Sequence, residues 1–229
     1  MDLDIWFWSS AYFIHRCYNE TMLEAINDYL AYQGRKYIKP EKAGKQASQM
    51  QALRSLAQVA RKEFSELSRE LAGQVAPFEP ERVSQWMNQA QVCRPHFWCY
   101  YRLPSDGLED VALAIRLYGQ KDDFGISVEV SFIERKKSAQ TLTKQAKVLG
   151  LPLKEGMYYF VQKDGQSHRV EGSEVNRQDL KEALAQGQVR KVLIKTDIPV
   201  EPSTSKSALV TQLVQAFDRL LPYYQITKS

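Results

Sequence analysis

Asp123 is followed, after ten intervening residues, by Glu134-Arg135-Lys136. Two carboxylates and a lysine in that order match the D…ExK arrangement of magnesium-dependent phosphodiester cleavage. The carboxylates hold the metal, and the lysine activates water or stabilises charge. Glu134 and Lys136, two apart, share one face of an extended strand, as this chemistry requires. Arg135 between them is charged at a position that normally points into the core. Asp122-Asp123-Phe124-Gly125 also reads as ordinary turn chemistry. The D…ExK reading therefore makes Asp123, Glu134 and Lys136 candidate catalytic residues for a nuclease, on a short pattern with a loose spacer.

A second constellation overlaps the first. Asp110–Gly119 and Gly125–Lys136 both alternate with period two and read as the arms of a β-hairpin joined by Gln120–Phe124. One face is apolar: Val111, Leu113, Ile115 and Leu117 against Ile126, Val128, Val130 and Phe132. The other holds Ala112, Ala114, Arg116, Ser127, Glu129 and Ser131, small residues around one arginine and one glutamate. Directly paired residues share a face, so parity restricts the register. A short loop then sets Arg116 opposite Glu129, Ala114 opposite Ser131 and Tyr118 opposite Ser127. Arg116 and Glu129 are candidate ligand-binding residues; the alternative is a structural ion pair under a helix. Alternation puts Glu134 on the opposite face, with Val130 and Phe132, so the two constellations do not line one pocket unless the strand is bulged.

Other chemistries lack their residues. No two of the 11 glycines lie two apart, which removes a G-x-G-x-x-G dinucleotide fingerprint. Gly44-Lys45 has Lys39 where a P-loop needs glycine, and there is no G-x-S-x-G or H-E-x-x-H. Cys17, Cys93 and Cys99 have no metal-ligand spacing and read as small buried thiols in a reducing compartment. His15, His96 and His168 are scattered, so no metal site is expected. The residues name no cofactor.

Charge is modest overall, +4, but unevenly spread. Residues 31–62 carry Arg35, Lys36, Lys39, Lys42, Lys45, Arg54, Arg61 and Lys62 against Glu41 alone. Arg135, Lys136, Lys137, Lys144 and Lys147 form a second basic run. Such patches suit phosphates or nucleic acid, though a lysine-rich helix face is often only solvated. Charges interrupt every apolar stretch, and Asp2 and Asp4 stand where a signal peptide needs positive charge. The expectation is a soluble, cytoplasmic protein without a membrane partner.

The elements that position these residues follow from periodicity. Residues 1–91 read as a helical region and 92–229 as a sheet region, together one compact α+β unit. Ile5–Gln33 has helical spacing, with Thr21 and Glu24 as a capping box and Trp6, Phe7, Trp8 and Tyr12 as an aromatic cluster for the core or for stacking. Met50, Leu53, Ala57, Ala60, Phe64, Leu67 and Leu71 predict a long amphipathic helix over Glu41–Ala72, closed by Gly73. Pro80 suits the first turn of a short helix, Glu81–Gln91. His96–Leu103 is a strand completing an antiparallel meander with the hairpin. A helix over Ser138–Leu149 follows, then a hairpin about Asp164-Gly165. Next come a helix opened by Asn176, a strand over Val189–Lys195, and a final helix over Ser205–Leu221 stopped by Pro222.

Trp86-Met87-Asn88-Gln89 with Arg94-Pro95, Asp123–Phe132 (DFGISVEVSF) and Leu221-Pro222-Tyr223-Tyr224 carry a resemblance over nearly the whole chain. In these runs the sequence resembles a small, mostly uncharacterised bacterial family, some members of which are labelled glucose-6-phosphate 1-dehydrogenase. That label implies an NADP-binding fold with a glycine fingerprint and a sugar-phosphate substrate; it implies no particular catalytic residues. The reading preferred from the residues is a non-catalytic protein that binds nucleic acid or a phosphorylated small molecule through basic surface. The metal-dependent nuclease and the dehydrogenase are the alternatives.

Overall fold

The computed structural model describes residues 23–229. Among these residues five α-helices, α1 (Glu24–Leu30), α2 (Ala47–Gln74), α3 (Ala139–Ala146), α4 (Glu174–Ala185) and α5 (Lys206–Ile226), accompany seven strands. These are β1 (Glu79–Pro80), β2 (Trp98–Arg102), β3 (Ala112–Gln120), β4 (Asp123–Ser131), β5 (Met157–Lys163), β6 (Gln166–Glu171) and β7 (Lys191–Pro199). One sheet holds them in the order β1-β2-β3-β4-β7-β5-β6, with every neighbouring pair antiparallel. The helix-rich first part followed by an antiparallel sheet with flanking helices makes the fold α+β.

The sheet has two unlike faces because its strands alternate. The apolar positions of β3, β4 and β7, such as Leu113, Ile115, Val128, Val130, Val192 and Ile194, join a single core with Phe64 and Leu67 of α2, Leu180 of α4 and Leu213 of α5. Phe97 packs between Tyr29 and Phe64, with ring centroids 5.2 and 5.8 Å away. The α1 N-terminus has no side-chain cap of its own. Instead Glu63 of α2 accepts hydrogen bonds from the Ala25 and Ile26 amides at 3.3 and 2.9 Å, answering two orphan donors. Thr21, Cys17, His15 and the aromatic cluster at Trp6–Tyr12 lie outside the described residues.

Several boundaries differ from the expectation. The segment after Pro80 is not a helix, because its backbone is used along β2. The Glu81 amide donates to Tyr100 O (2.7 Å) and the Ser84 amide to Trp98 O (3.0 Å). Arg61 of α2 holds the Val83 and Ser84 carbonyls. Helix α4 is capped by Ser173, whose hydroxyl accepts from the Asn176 amide, rather than opened at Asn176. Helix α5 runs through Pro222 to Ile226. Its last turn is held by Tyr223 Oη donating to Pro152 O (2.7 Å) and Tyr224 Oη to Asp106 (2.5 Å), anchors that offset the missing proline amide.

The β3–β4 register is also two residues from the expected one. Arg116 stands opposite Ser127, Ala114 opposite Glu129 and Ala112 opposite Ser131. The loop is only Lys121-Asp122, with Asp122 at φ 64°. Asn27 of α1 clamps this turn, accepting from the Asp122 amide at 2.7 Å and donating to its carboxylate at 2.9 Å. Face assignment survives, since a two-residue shift keeps parity.

Candidate functional site

The site lies on the sheet face turned away from the main core. Its central row reads across five strands as Tyr100, Ala114, Glu129, Lys195 and Tyr158. The adjacent row is Trp98, Arg116, Ser127 and Asp197. Among the described residues, the apolar side chains of this face make their own small cluster, Tyr100, Ala112, Ala114 and Ile133 with Trp98, and no helix contributes to it.

Glu129 is fully buried and lies between two cations. Arg116 Nη2 and Nε donate to its Oε1 at 2.7 and 3.1 Å. Lys195, its direct partner on β7, brings Nζ to 2.6 Å from Oε2, as an ion pair without hydrogen-bond direction. The small residues Ser127 and Ala114 leave room for the guanidinium to lean along the sheet. Burial alone would raise the Glu129 carboxyl; the Arg116 and Lys195 charges overcome it and hold the group well below the usual carboxylate range.

Aromatic rings and cations interleave around this pair. The Arg94 and Arg116 guanidinium carbons lie 4.8 and 5.2 Å from the Trp98 ring centroid. Lys195 Nζ is 4.3 Å from that of Phe160 and Arg169 is 3.7 Å from that of Tyr158. Lys191 Nζ is 5.3 Å from that of Phe132. Asp197 accepts from Tyr158 Oη at 2.9 Å and pairs with Arg169 at 3.0 Å. Such contacts hold the cations against an apolar wall, with the Lys195 side chain only 7% exposed and that of Arg169 62%.

The titratable groups here are pushed away from neutrality. Burial, then the charge of Arg116, lowers His96 to about 4. Burial pushes the Tyr100 hydroxyl up to about 12, and burial with Asp197 raises that of Tyr158 further. A general acid or base works best with a pKa near the operating pH. The arrangement instead fixes charges and hydrogen-bond donors in place, which suits binding.

The first constellation is not assembled. Asp123 is exposed at the hairpin end of β4, opposite Gln120. Glu134 and Lys136 sit in a 3-10 turn beyond the other end, so the nine-residue strand separates them by about 27 Å at the usual rise. Their shared strand face is lost with that turn. Glu134 instead binds Arg190 (2.6 Å), Lys191 (3.3 Å) and Lys137 (3.7 Å). Among the described residues no group of three His, Cys, Asp or Glu side chains is placed to hold a metal ion. No described helix is long and apolar enough to cross a membrane.

The basic runs are divided. Arg61 and Lys36 bond to main-chain carbonyls, and Lys62 pairs with Glu66. Lys39, Lys42 and Lys45 are exposed in the connection between α1 and α2. In the second run Lys144 pairs with Asp110, while Arg135 and Lys136 are exposed beside the Glu134 cluster. Lys195, Asp197, Tyr158 and Trp98 escaped the sequence reading. The alternation Leu193, Lys195, Asp197 against Val192, Ile194, Thr196 marks a lysine among strand residues, but nothing local places β7 beside β4. No family model matches the chain, and no curated protein matches it.

Proposed function

We propose that this protein is a non-catalytic binder of a phosphate-bearing partner, held on the sheet face that carries Arg116, Glu129 and Lys195. The interleaving of cations with aromatic rings across one sheet face supports this reading most. Arg94, Arg116, Lys191, Lys195 and Arg169 outnumber Glu129, Asp197 and the Glu134 that pairs with Lys191. Glu129 does not neutralise the face: its one charge orders two cations and leaves an excess of positive charge. Arg135, Lys136 and Arg190 extend the positive potential past the end of β4, where they draw polyanions toward the face.

Retention on immobilised heparin tests the reading. The protein is expected to bind at low ionic strength and to elute as salt rises, with log affinity falling linearly against log salt. Passage through the column at low salt, or retention indifferent to salt, would overturn it.

A further inference from the structure

We infer that residues 1–22 of this chain lie over the sheet face that carries Tyr100, Ala114 and Glu129, and compete with the phosphate-bearing partner for it. The competition rests on the binding face proposed above; the cover itself rests on the burial of that face.

One face of an antiparallel sheet can stand in water, and its side chains are then polar and exposed. This face is withdrawn from water. Ala112, Ala114 and Glu129 are fully buried, and Tyr100, Ser127, Ser131 and Tyr158 nearly so. Pairing explains how Glu129 tolerates burial, but not what keeps water off it. Its partners do not stand out into solvent as a screen: the side chains of Arg116 and Lys195 are only 20 and 7% exposed. Among the described residues no helix joins the cluster that Tyr100, Ala112, Ala114 and Ile133 form with Trp98. A face buried in this way needs another cover.

The segment before Leu23 has the composition of one. It carries Ile5, Trp6, Phe7, Trp8, Tyr12 and Phe13, far more apolar surface than a solvated tail bears. Asp2, Asp4 and Glu20 outnumber Arg16, which complements the excess of cations on the face. It also starts from the right place. Leu23 is one helical turn from Asn27, whose amide donates to Leu23 O at 2.9 Å, and Asn27 holds the Asp122 turn at the end of the β3–β4 hairpin. From that turn the nine residues of β4 run about 27 Å. A segment of this length spans about 33 Å as a helix and more when extended, enough to cross the face in either form. A second copy of the chain or a foreign protein has no such tether.

The test uses the full chain with the photo-crosslinking residue p-benzoylphenylalanine in place of Trp8 or, separately, of Tyr12. Circular dichroism of both variants should match the parent. After irradiation, mass spectrometry of the monomer should find cross-links within one chain to peptides holding residues 98–102, 112–116 or 127–133. Saturating heparin should abolish these cross-links. Cross-links confined to other parts of the chain, cross-links only between two copies, or none from either folded variant would overturn the inference. So would face cross-links that persist in heparin to which the protein is bound. Failure of the parent to bind heparin would remove the phosphate-binding reading and the competition with it, while face cross-links would still uphold the cover.

Discussion

Arg116 reaches Glu129 on the diagonal of the β3–β4 ladder: it is paired with Ser127, yet its Nη2 lies 2.7 Å from the carboxylate two residues further on. Lys195, directly opposite Glu129 on β7, takes the other oxygen. One buried carboxylate thus orders two cations from two flanking strands. Breaking a buried pair costs more than the pair contributes, because the surviving charge stays out of water.

Glu129→Gln should therefore lower unfolding free energy by about 3–5 kcal/mol in urea titrations, the range for removing one partner of a buried ion pair. Adding Lys195→Met should recover part of that loss, since one of the two uncompensated cations goes with it. A double-mutant cycle reads the coupling directly. Additive effects would mean that Lys195 and Glu129 are energetically independent.

Acid sensitivity has two phases. His96, lowered to about 4 by burial and by the cations around it, stays neutral in the folded protein while the unfolded chain protonates near the ordinary histidine value of about 6.5. The unfolded state binds the extra proton, so stability falls as pH drops from about 6.5 toward 4. Glu129 contributes below that: its carboxyl is depressed, so its share is intact above about 4.3, the ordinary glutamate value, and lost as pH falls toward its folded value. Urea midpoints at pH 7 and 5 should differ in the parent and much less in His96→Gln.

Gln145 of α3 closes the gap where β4 and β7 part. Its Nε2 donates to Val130 O (3.2 Å) and Val192 O (3.0 Å), and the side chain is buried. Gln145→Leu leaves both carbonyls without that donor and should cost about 1–3 kcal/mol for each one left unsatisfied. Hydrogen exchange should quicken at the adjoining ends of β4 and β7 while the β5–β6 hairpin is unaffected.

Two glycines with positive φ should respond differently to alanine. At Gly165 (φ +75°) nothing lies within 4 Å of an added Cβ, so the cost is the left-handed backbone alone, about 1–2 kcal/mol. At Gly119 (φ +94°) the Cβ would collide with the Asp123 carbonyl and lie 2.7 Å from Phe124 Cα. Gly119→Ala should shift the thermal midpoint further than Gly165→Ala; equal shifts would contradict the close approach at the β3–β4 turn.

Alternation made the two faces of the hairpin legible, because period-two patterning reports which side meets the core. The register was not, since the tight Lys121-Asp122 turn depends on Asn27, distant in sequence. The arm expected to reach Lys136 stops at Ser131 for a related reason: Glu134-Arg135-Lys136 continues the alternation on paper, but β4 has no ladder partner there and the chain turns. Lys195 joined the site only through β7 pairing with β4, a contact across a hairpin and two helices that local patterning does not encode. Pro222 shows the reverse case, a local stop signal overridden by tyrosine anchors at the helix end.

Charge reversal at two places tests the central claim most directly. Arg169→Glu with Lys191→Glu alters the sheet face; Lys39→Glu with Lys42→Glu alters the exposed connection between α1 and α2 by the same net charge. Measured by heparin elution at one pH, the sheet-face variant should elute at markedly lower salt than the parent and the connection variant close to it. The opposite order, with the connection variant losing retention and the sheet-face variant keeping it, would contradict the assignment of binding to the Arg116–Glu129–Lys195 face.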